Sequence, residues 1–142
     1  QWRLSSSLDE SQWLAMRQSG ESDHPARILV GFRISGSGSV LTPTYSGDEL
    51  PPHDRAITIT WSTLSSPAGR MDRKGPYGRV VLRQGVSGFG QWQDEHVDLS
   101  KLYASIWPGE DMTRIQIAFI AVATRKSSLV TEAVIDGLRV YR

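Results

Sequence analysis

Aromatic rings beside turn-forming residues carry the clearest chemical signal in this sequence. The chain has 142 residues, of which 5 are tryptophan. A rigid ring offers contact area at little entropic cost, and sugar-binding sandwiches place such rings against the C–H faces of pyranoses. Adjacent amide, acid and guanidinium groups suit the sugar hydroxyls. The predicted ligand site consists of Trp92, Tyr77, Trp13, Gln93, Asp94 and Arg79, with ordinary core packing as the alternative for each ring.

Carboxylates at alternate positions indicate a second kind of chemistry, acid–base catalysis. Asp94, His96 and Asp98 have the spacing that places side chains on one face of a strand. A glycosidase needs two carboxyl groups about 5–10 Å apart. No local motif sets a proton donor against a base, and solvated edge charges fit the spacing as well. A glycan-active hydrolase or lyase is therefore an alternative, with no catalytic residue assigned.

The remaining residue types exclude several classes of function. The sequence has no cysteine, which rules out disulfides, thiolate metal sites and a cysteine nucleophile. The histidines, His24, His53 and His96, lack metal-site spacing. We predict no cofactor and no metal-ligating residue, and leave open a structural Ca²⁺ held by carbonyls and scattered carboxylates. The net charge of +1 gives no reason to expect nucleic acid as a partner.

Alternation of apolar and polar residues predicts that most of the chain is β-strand. The period of two is clearest in 27–34 and in 56–62, where Trp61 lies on the apolar face and is predicted to be core. The run 114–124 is apolar on both faces, which predicts a strand in the middle of a covered sheet. It is too short to span a bilayer, which needs about 20 residues, so no membrane partner is predicted. A last strand is predicted at 132–141.

Two segments have features of helices. Apolar residues recur at helical spacing across 99–107, with Asp98 or Ser100 as the N-cap. This stripe includes Trp107, which is therefore predicted to be core. The segment 7–17 opens like a capping box, although a strand in its second half fits as well.

Many short strands and one late helix predict a single all-β domain over residues 1–142. We expect an antiparallel β-sandwich of jelly-roll type with one short α-helix near 99–107. The composition agrees, because 39% hydrophobic and 22% charged residues are typical of a chain with a packed core.

The order of several motifs is similar to that of a bacterial family. The chain has Trp2-Arg-Leu4, then Asp23-His-Pro-Ala-Arg27, Ile57-Thr-Ile-Thr-Trp61, Gly75-Pro-Tyr-Gly-Arg79 and a final Asp136-Gly-Leu-Arg139. Together these resemble the family called domain of unknown function 3047, over nearly the whole chain. The resemblance implies a galactose-binding-like jelly roll in an exported protein, and it implies no known activity.

The chain departs from this family at two places. The family has an acidic, Asn-containing turn where this sequence has Thr124-Arg-Lys-Ser-Ser128, which puts an acidic or metal role there in doubt. The family also has strands ahead of the Trp-Arg segment. The resemblance therefore implies that N-terminal strands of the natural protein are missing and that one sheet edge is open.

Three functions follow as expectations. The leading one is a non-catalytic glycan-binding module of an exported bacterial protein, either periplasmic or secreted. The first alternative is an interaction or assembly domain, in which another protein domain pairs at the open sheet edge. The second alternative is the glycan-active hydrolase or lyase.

Overall fold

The computed structural model describes residues 1–6, 11–12, 15, 26–37, 44–45, 48–62, 66–124 and 131–141. Most of the predicted helix at 7–17, and all of Trp13, lie outside these residues. The elements are β1 (Trp2–Ser6), β2 (Ala26–Ile34), β3 (Thr44–Tyr45), β4 (Asp48–Glu49), β5 (Arg55–Ser62), β6 (Met71–Lys74), β7 (Tyr77–Gln84), α1 (Leu99–Ile106), a 3₁₀ turn (Met112–Arg114), β8 (Ile115–Thr124) and β9 (Thr131–Ile135).

Five strands form the main sheet, in the order β6-β7-β5-β2-β8. Strands β1 and β9 pair in a second sheet, and β3 and β4 form a short hairpin. Strands dominate the described chain, and α1 lies where helical spacing placed it. The predicted all-β sandwich with one short helix near 99–107 is confirmed.

One strand pair differs from the antiparallel pattern, since β5 and β7 run parallel. A tight turn at Gly75, whose φ is +57°, joins β6 and β7 in a hairpin. Strand β7 carries the buried residues Val80 and Val81, whereas three of the four β6 residues are charged. The apolar strand of the hairpin therefore lies inside the sheet and the charged strand lies at the edge. This order makes β7 parallel to β5.

Helix α1 covers one end of one face of the main sheet. Asp98 caps the helix, because its carboxylate accepts a hydrogen bond from the Lys101 backbone N–H at 3.0 Å. The helix and the residue after it bury Tyr103, Ile106 and Trp107 against the sheet, so Trp107 is a core residue as predicted. The strand side of this core is formed by Val30, Phe32, Ile57, Ile59 and Val80.

The β1–β9 sheet covers the other end of the same face. Trp61 on β5 packs against Trp2 on β1, with ring centres 5.8 Å apart, and both rings are buried. Ile28 and Leu82 pack against both core clusters, so the helix and the second sheet lie on one continuous face. The prediction that Trp61 is a core residue is confirmed.

Strand β8 lies at the edge of the main sheet, so the prediction of a central position is wrong. It pairs with β2 on one side, and no strand of the described chain pairs with its other side. The opposite face of the central strands is also buried, at Leu29 and Val81, but each residue of 115–123 is half-buried or exposed. An apolar strand in this sheet therefore need not be central.

The last strand is shorter than the alternation predicted. Strand β9 ends at Ile135, whereas the pattern extends over 132–141. Gly137 has a φ of +60°, in the left-handed region that favours glycine, and this ends the extended run. Leu138 and Val140 beyond it are exposed.

The Phe119 ring of β8 lies directly over Gly31 of β2. A Cβ atom at this position would lie 2.1 Å from the Phe119 ring, and the register between the two strands shifts beside it. We expect Gly31→Ala to lower the free energy of unfolding by about 2 kcal/mol, because the ring or the strand must move. Urea denaturation measures this loss, and adding Phe119→Leu should recover part of it. An unchanged urea midpoint in Gly31→Ala would contradict the close approach.

Candidate functional site

The segment that carries Trp92 is held against the outer side of β1. The Gly90 N–H donates to the Leu4 carbonyl at 2.7 Å. Trp2 and Gln93 exchange two backbone hydrogen bonds, of 3.0 and 2.8 Å. These bonds extend the β1–β9 sheet by one short stretch and fix the backbone on both sides of Trp92.

The Trp92 ring is accessible and is oriented by a cation. Its residue is 43% exposed, although it stands in a segment with fixed backbone bonds. The guanidinium carbon of Arg3 lies 5.1 Å from the centre of the ring, within the range of a cation–π contact. The contact restricts the ring while leaving much of its surface open to a ligand.

Polar side chains follow Trp92 on the same segment, and their burial alternates. Asp94 is exposed like Trp92, whereas Gln93 and Glu95 are half-buried on the other side. The Gln93 amide lies beside Gly88, close to the Trp61 ring. The Glu95 carboxylate forms an ion pair with Arg83 and accepts a hydrogen bond from the Trp2 indole N–H at 3.4 Å. We call Trp92, Arg3 and Asp94 the Trp92 site.

One member of the Trp92 site, Arg3, was missed from the sequence. It is 89 positions from Trp92, and only the pairing of β1 with the Trp92 segment brings the two side chains together. Arg83 and Glu95, whose ion pair joins this segment to β7, were also missed, although Glu95 directly follows the predicted Gln93 and Asp94.

Tyr77 and Arg79 lie away from the Trp92 site. Tyr77 opens β7, whereas Arg83, which contacts the Asp94 carbonyl at 3.5 Å, lies six residues along the same strand. Six strand residues span about 20 Å, so Tyr77 and Trp92 cannot contact one sugar ring. Arg79 is engaged by Asp72 at 2.5 Å. The structure thus keeps Trp92 and Asp94 on one side of their segment, turns Gln93 to the other side, and separates all three from Tyr77 and Arg79.

Asp98 has a structural task that accounts for its position. Besides capping α1, its side chain lies 3.4 Å from the Lys101 ammonium. The Lys101 backbone hydrogen bond holds the pKa of Asp98 below its ordinary value of 3.8. A general acid needs a raised pKa, so this carboxyl group is poorly suited to donate a proton at neutral pH.

A buried carboxylate, Asp54, organises the chain at the far end of β2. It accepts hydrogen bonds from the Ile34 N–H at 2.8 Å and the Ser37 hydroxyl at 2.5 Å, and it lies 3.2 Å from the Arg33 guanidinium. Burial opposes its ionisation, but the hydrogen bonds from Ser37 and Ile34 outweigh that effect and leave the pKa of Asp54 below 3.8. Asp54 therefore stays ionised and ties the end of β2 to the start of β5.

A second buried polar group joins α1 to β5. The Tyr103 hydroxyl donates to Glu110 at 2.5 Å, and the other oxygen of that carboxylate lies 3.0 Å from Arg55. Burial, reinforced by the Glu110 carboxylate, raises the pKa of Tyr103 above its ordinary value of 10.0. This contribution to stability is present below pH 10.0 and is lost as the pH rises toward the higher folded-state pKa. The Tyr103 hydroxyl is bonded to Glu110, which also pairs with Arg55, so the role of these side chains is structural.

No ion site stands out in the part of the chain that the structure describes. Within it, no group of three or more histidine, aspartate or glutamate side chains converges as metal ligands. Among the same residues, no helix is long and apolar enough to cross a membrane.

Comparison with known proteins leaves the fold and the Trp92 site as the basis for a function. No family model, no curated protein and no solved structure matches this chain. The resemblance to the domain of unknown function 3047 family therefore stays a prediction from the sequence.

Proposed function

We propose that this chain is a non-catalytic glycan-binding module that binds sugars at the Trp92 site. The observation that carries the proposal is the combination of exposure and fixation at Trp92. An indole that is 43% exposed projects from a segment tied to β1 by backbone hydrogen bonds. A ring held in this way loses little freedom when a ligand covers it, so more of the contact energy is realised as affinity.

The groups around Trp92 fit a single sugar ring. The exposed indole surface suits the C–H face of a pyranose, and the exposed Asp94 carboxylate supplies hydrogen-bond acceptors on the same side of the segment. Arg3 occupies part of the ring and presents further N–H donors beside it. A single aromatic ring forms a shallow site, which suits a short glycan bound with a Kd in the micromolar to millimolar range.

The location of the protein belongs to the same proposal. The sequence resemblance supports an exported bacterial protein, and glycans of the cell surface or the periplasm are then the accessible ligands. The hydrolase or lyase alternative is not favoured, because Asp98 caps a helix and has a lowered pKa. The assembly alternative draws on a different surface, the exposed edge of β8.

Trp92→Ala tests the glycan proposal. A glycan array identifies the ligand, and tryptophan fluorescence then measures its affinity. We expect Trp92→Ala to weaken binding about fivefold or more, since loss of the stacked ring removes at least about 1 kcal/mol. The stability of the variant should stay within about 0.5 kcal/mol of wild type, because the side chain is largely at the surface.

Tyr77→Ala is the matched control, because Tyr77 is 40% exposed and lies at the other end of β7. It should leave glycan affinity unchanged. A loss of binding in Tyr77→Ala with none in Trp92→Ala would show that the glycan binds near Tyr77 and not at the Trp92 site. A blank array with unchanged fluorescence would reject the proposed function.

A further inference from the structure

Strand β8 has the features of a sheet edge that can pair with another strand. It is ten residues long, contains no charged residue and no proline, and lies at the end of the main sheet. Two of its exposed side chains are large and apolar, since Ile117 is 43% exposed and Val122 is 54% exposed, and the uncharged Gln116 beside them is also exposed. Proteins protect such edges with charges, proline or short strands, because an open edge presents unpaired N–H and C=O groups to other strands.

The opposite edge of the same sheet is protected in that way. Strand β6 is four residues long and carries Asp72, Arg73 and Lys74. Asp72 and Arg73 contact Arg79 and the Ile106 carbonyl respectively, which keeps these charges at the edge. Among the described residues, one edge of the sheet is thus protected by charge, whereas the free side of β8 pairs with no strand and carries no charge, so another strand could pair there.

A register shift places the two exposed apolar side chains of β8 on one face. Ile117 lies opposite Phe32 and Val122 lies opposite Ile28, four residues away on β2. Residues four apart on a strand share a face. Without the irregularity beside Gly31, the five-residue spacing of Ile117 and Val122 would put them on opposite faces. The shift thus makes an apolar pair on one side of the edge.

This arrangement is self-complementary. If β8 pairs antiparallel with β8 of another copy about a twofold axis near Ile120, Ile117 lies opposite Val122 of the partner subunit. The same contact repeats on the other side of the axis. Ile117 and Val122 of each copy are then covered by an apolar neighbour, and directly opposed apolar pairs stabilise antiparallel strands.

We propose that β8 is a dimerisation strand, through which two copies of this chain join their five-stranded sheets into one continuous sheet. The occupant is a second copy because the edge carries no charge to select a different partner and its apolar pattern matches itself. Pairing over ten residues forms up to about ten backbone hydrogen bonds, in addition to the apolar contacts. The Trp92 site lies at the second sheet, so this proposal is independent of the proposed function.

Disulfide trapping tests the register directly, because the native chain has no cysteine. In the double variant Ile117→Cys/Val122→Cys, each introduced thiol faces a thiol of the partner subunit. Mild oxidation should give a covalent dimer of twice the 15.8 kDa chain mass. Each single variant is the control. In the proposed register, residue 117 of one copy lies about 14 Å from residue 117 of the other, and the same holds for residue 122, which is beyond the reach of a disulfide. Cross-linking of a single variant as efficient as that of the double variant would overturn the register.

Sedimentation equilibrium tests the edge without covalent chemistry. We expect the wild-type chain to dimerise and Val122→Lys to raise the dimer Kd about tenfold or more, since a charge at the edge blocks strand pairing. Val140→Lys is the matched control, because Val140 is 55% exposed but lies beyond β9. It should dimerise like wild type.

The remaining outcomes each decide against the proposal. A chain that stays monomeric at all concentrations would overturn it. Loss of the dimer in Val140→Lys but not in Val122→Lys would assign the contact to the C-terminal segment instead. Far-UV circular dichroism of each variant shows that a change in mass does not arise from unfolding.

Discussion

Replacing Trp61 with alanine is expected to lower the free energy of unfolding by about 3–5 kcal/mol. The side chain is 1% exposed and joins the two sheets. Its ring lies 5.8 Å from Trp2 and 5.9 Å from Phe89, and its indole N–H donates to the Gly85 carbonyl at 2.8 Å. Alanine leaves a cavity between the sheets that these neighbours cannot fill. Urea denaturation followed by far-UV circular dichroism measures the loss.

Two variants make the Trp61 result specific. Trp61→Phe keeps most of the apolar volume and loses the hydrogen bond to Gly85, so its cost should be less than half that of alanine. Trp92→Ala removes the same side chain from the surface and should cost about 0.5 kcal/mol or less. Equal effects of Trp61→Ala and Trp92→Ala would contradict the packing of β1 and β9 on the main sheet.

Removing the Asp54 carboxylate is the second large effect, with an expected loss of about 3 kcal/mol at pH 7 in Asp54→Ala. The residue is 4% exposed and is the acceptor for Ile34 and Ser37. Its removal leaves the Ile34 N–H without that acceptor and Arg33 without its counter-ion. The loss lies at the low end of the range for broken buried ion pairs, because the Arg33 side chain is 39% exposed.

The pH dependence separates the charge of Asp54 from its volume. Its pKa is lowered in the folded state, so the carboxylate stabilises the fold above pH 3.8 and this contribution is lost as the pH falls through the lower folded-state pKa. The difference in unfolding free energy between wild type and Asp54→Asn should therefore be largest near neutral pH and should shrink below pH 3.8. A difference that stays constant down to pH 2 would contradict an ionised Asp54.

Asp94→Asn provides the control for both Asp54 variants. Asp94 is exposed and contacts Arg83 only through its backbone carbonyl among the described contacts. Its replacement should change stability by about 0.5 kcal/mol or less at every pH. A loss comparable to that of Asp54→Asn would show that the stabilisation is not specific to the end of β2.

Local patterns in the sequence were sufficient for several of the elements and for part of the core. The spacing of apolar residues across 99–107 and the Asp98 cap predict α1, because a helix is closed by contacts three and four residues apart. Alternation in 56–62 predicts β5 and puts Trp61 in the core, since the period of a strand is also local. The exposure of Trp92, however, was left open by the sequence, because its place beside a glycine-rich turn suits core packing as well.

Strand order, by contrast, was decided by tertiary structure. The apolar composition of 114–124 suits a central strand or an edge strand, and only pairing with β2 alone distinguishes them. Likewise, the sequence placed Tyr77 and Trp92 in one site, whereas β7 separates them. A sequence pattern records which face of a strand is apolar, but not which strand lies beside it.

The contacts of the buried polar groups could not be predicted from local sequence patterns, for the same reason. Asp54 contacts residues 17 to 21 positions away, and Glu110 joins a residue 55 positions away. The sequence by itself determined the all-β class, helix α1 and the burial of Trp61 and Trp107, because these depend on contacts within a few residues. The tertiary structure decided the edge position of β8, the membership of the Trp92 site and the burial of Asp54, because these depend on hydrogen bonds between segments that are distant in the chain.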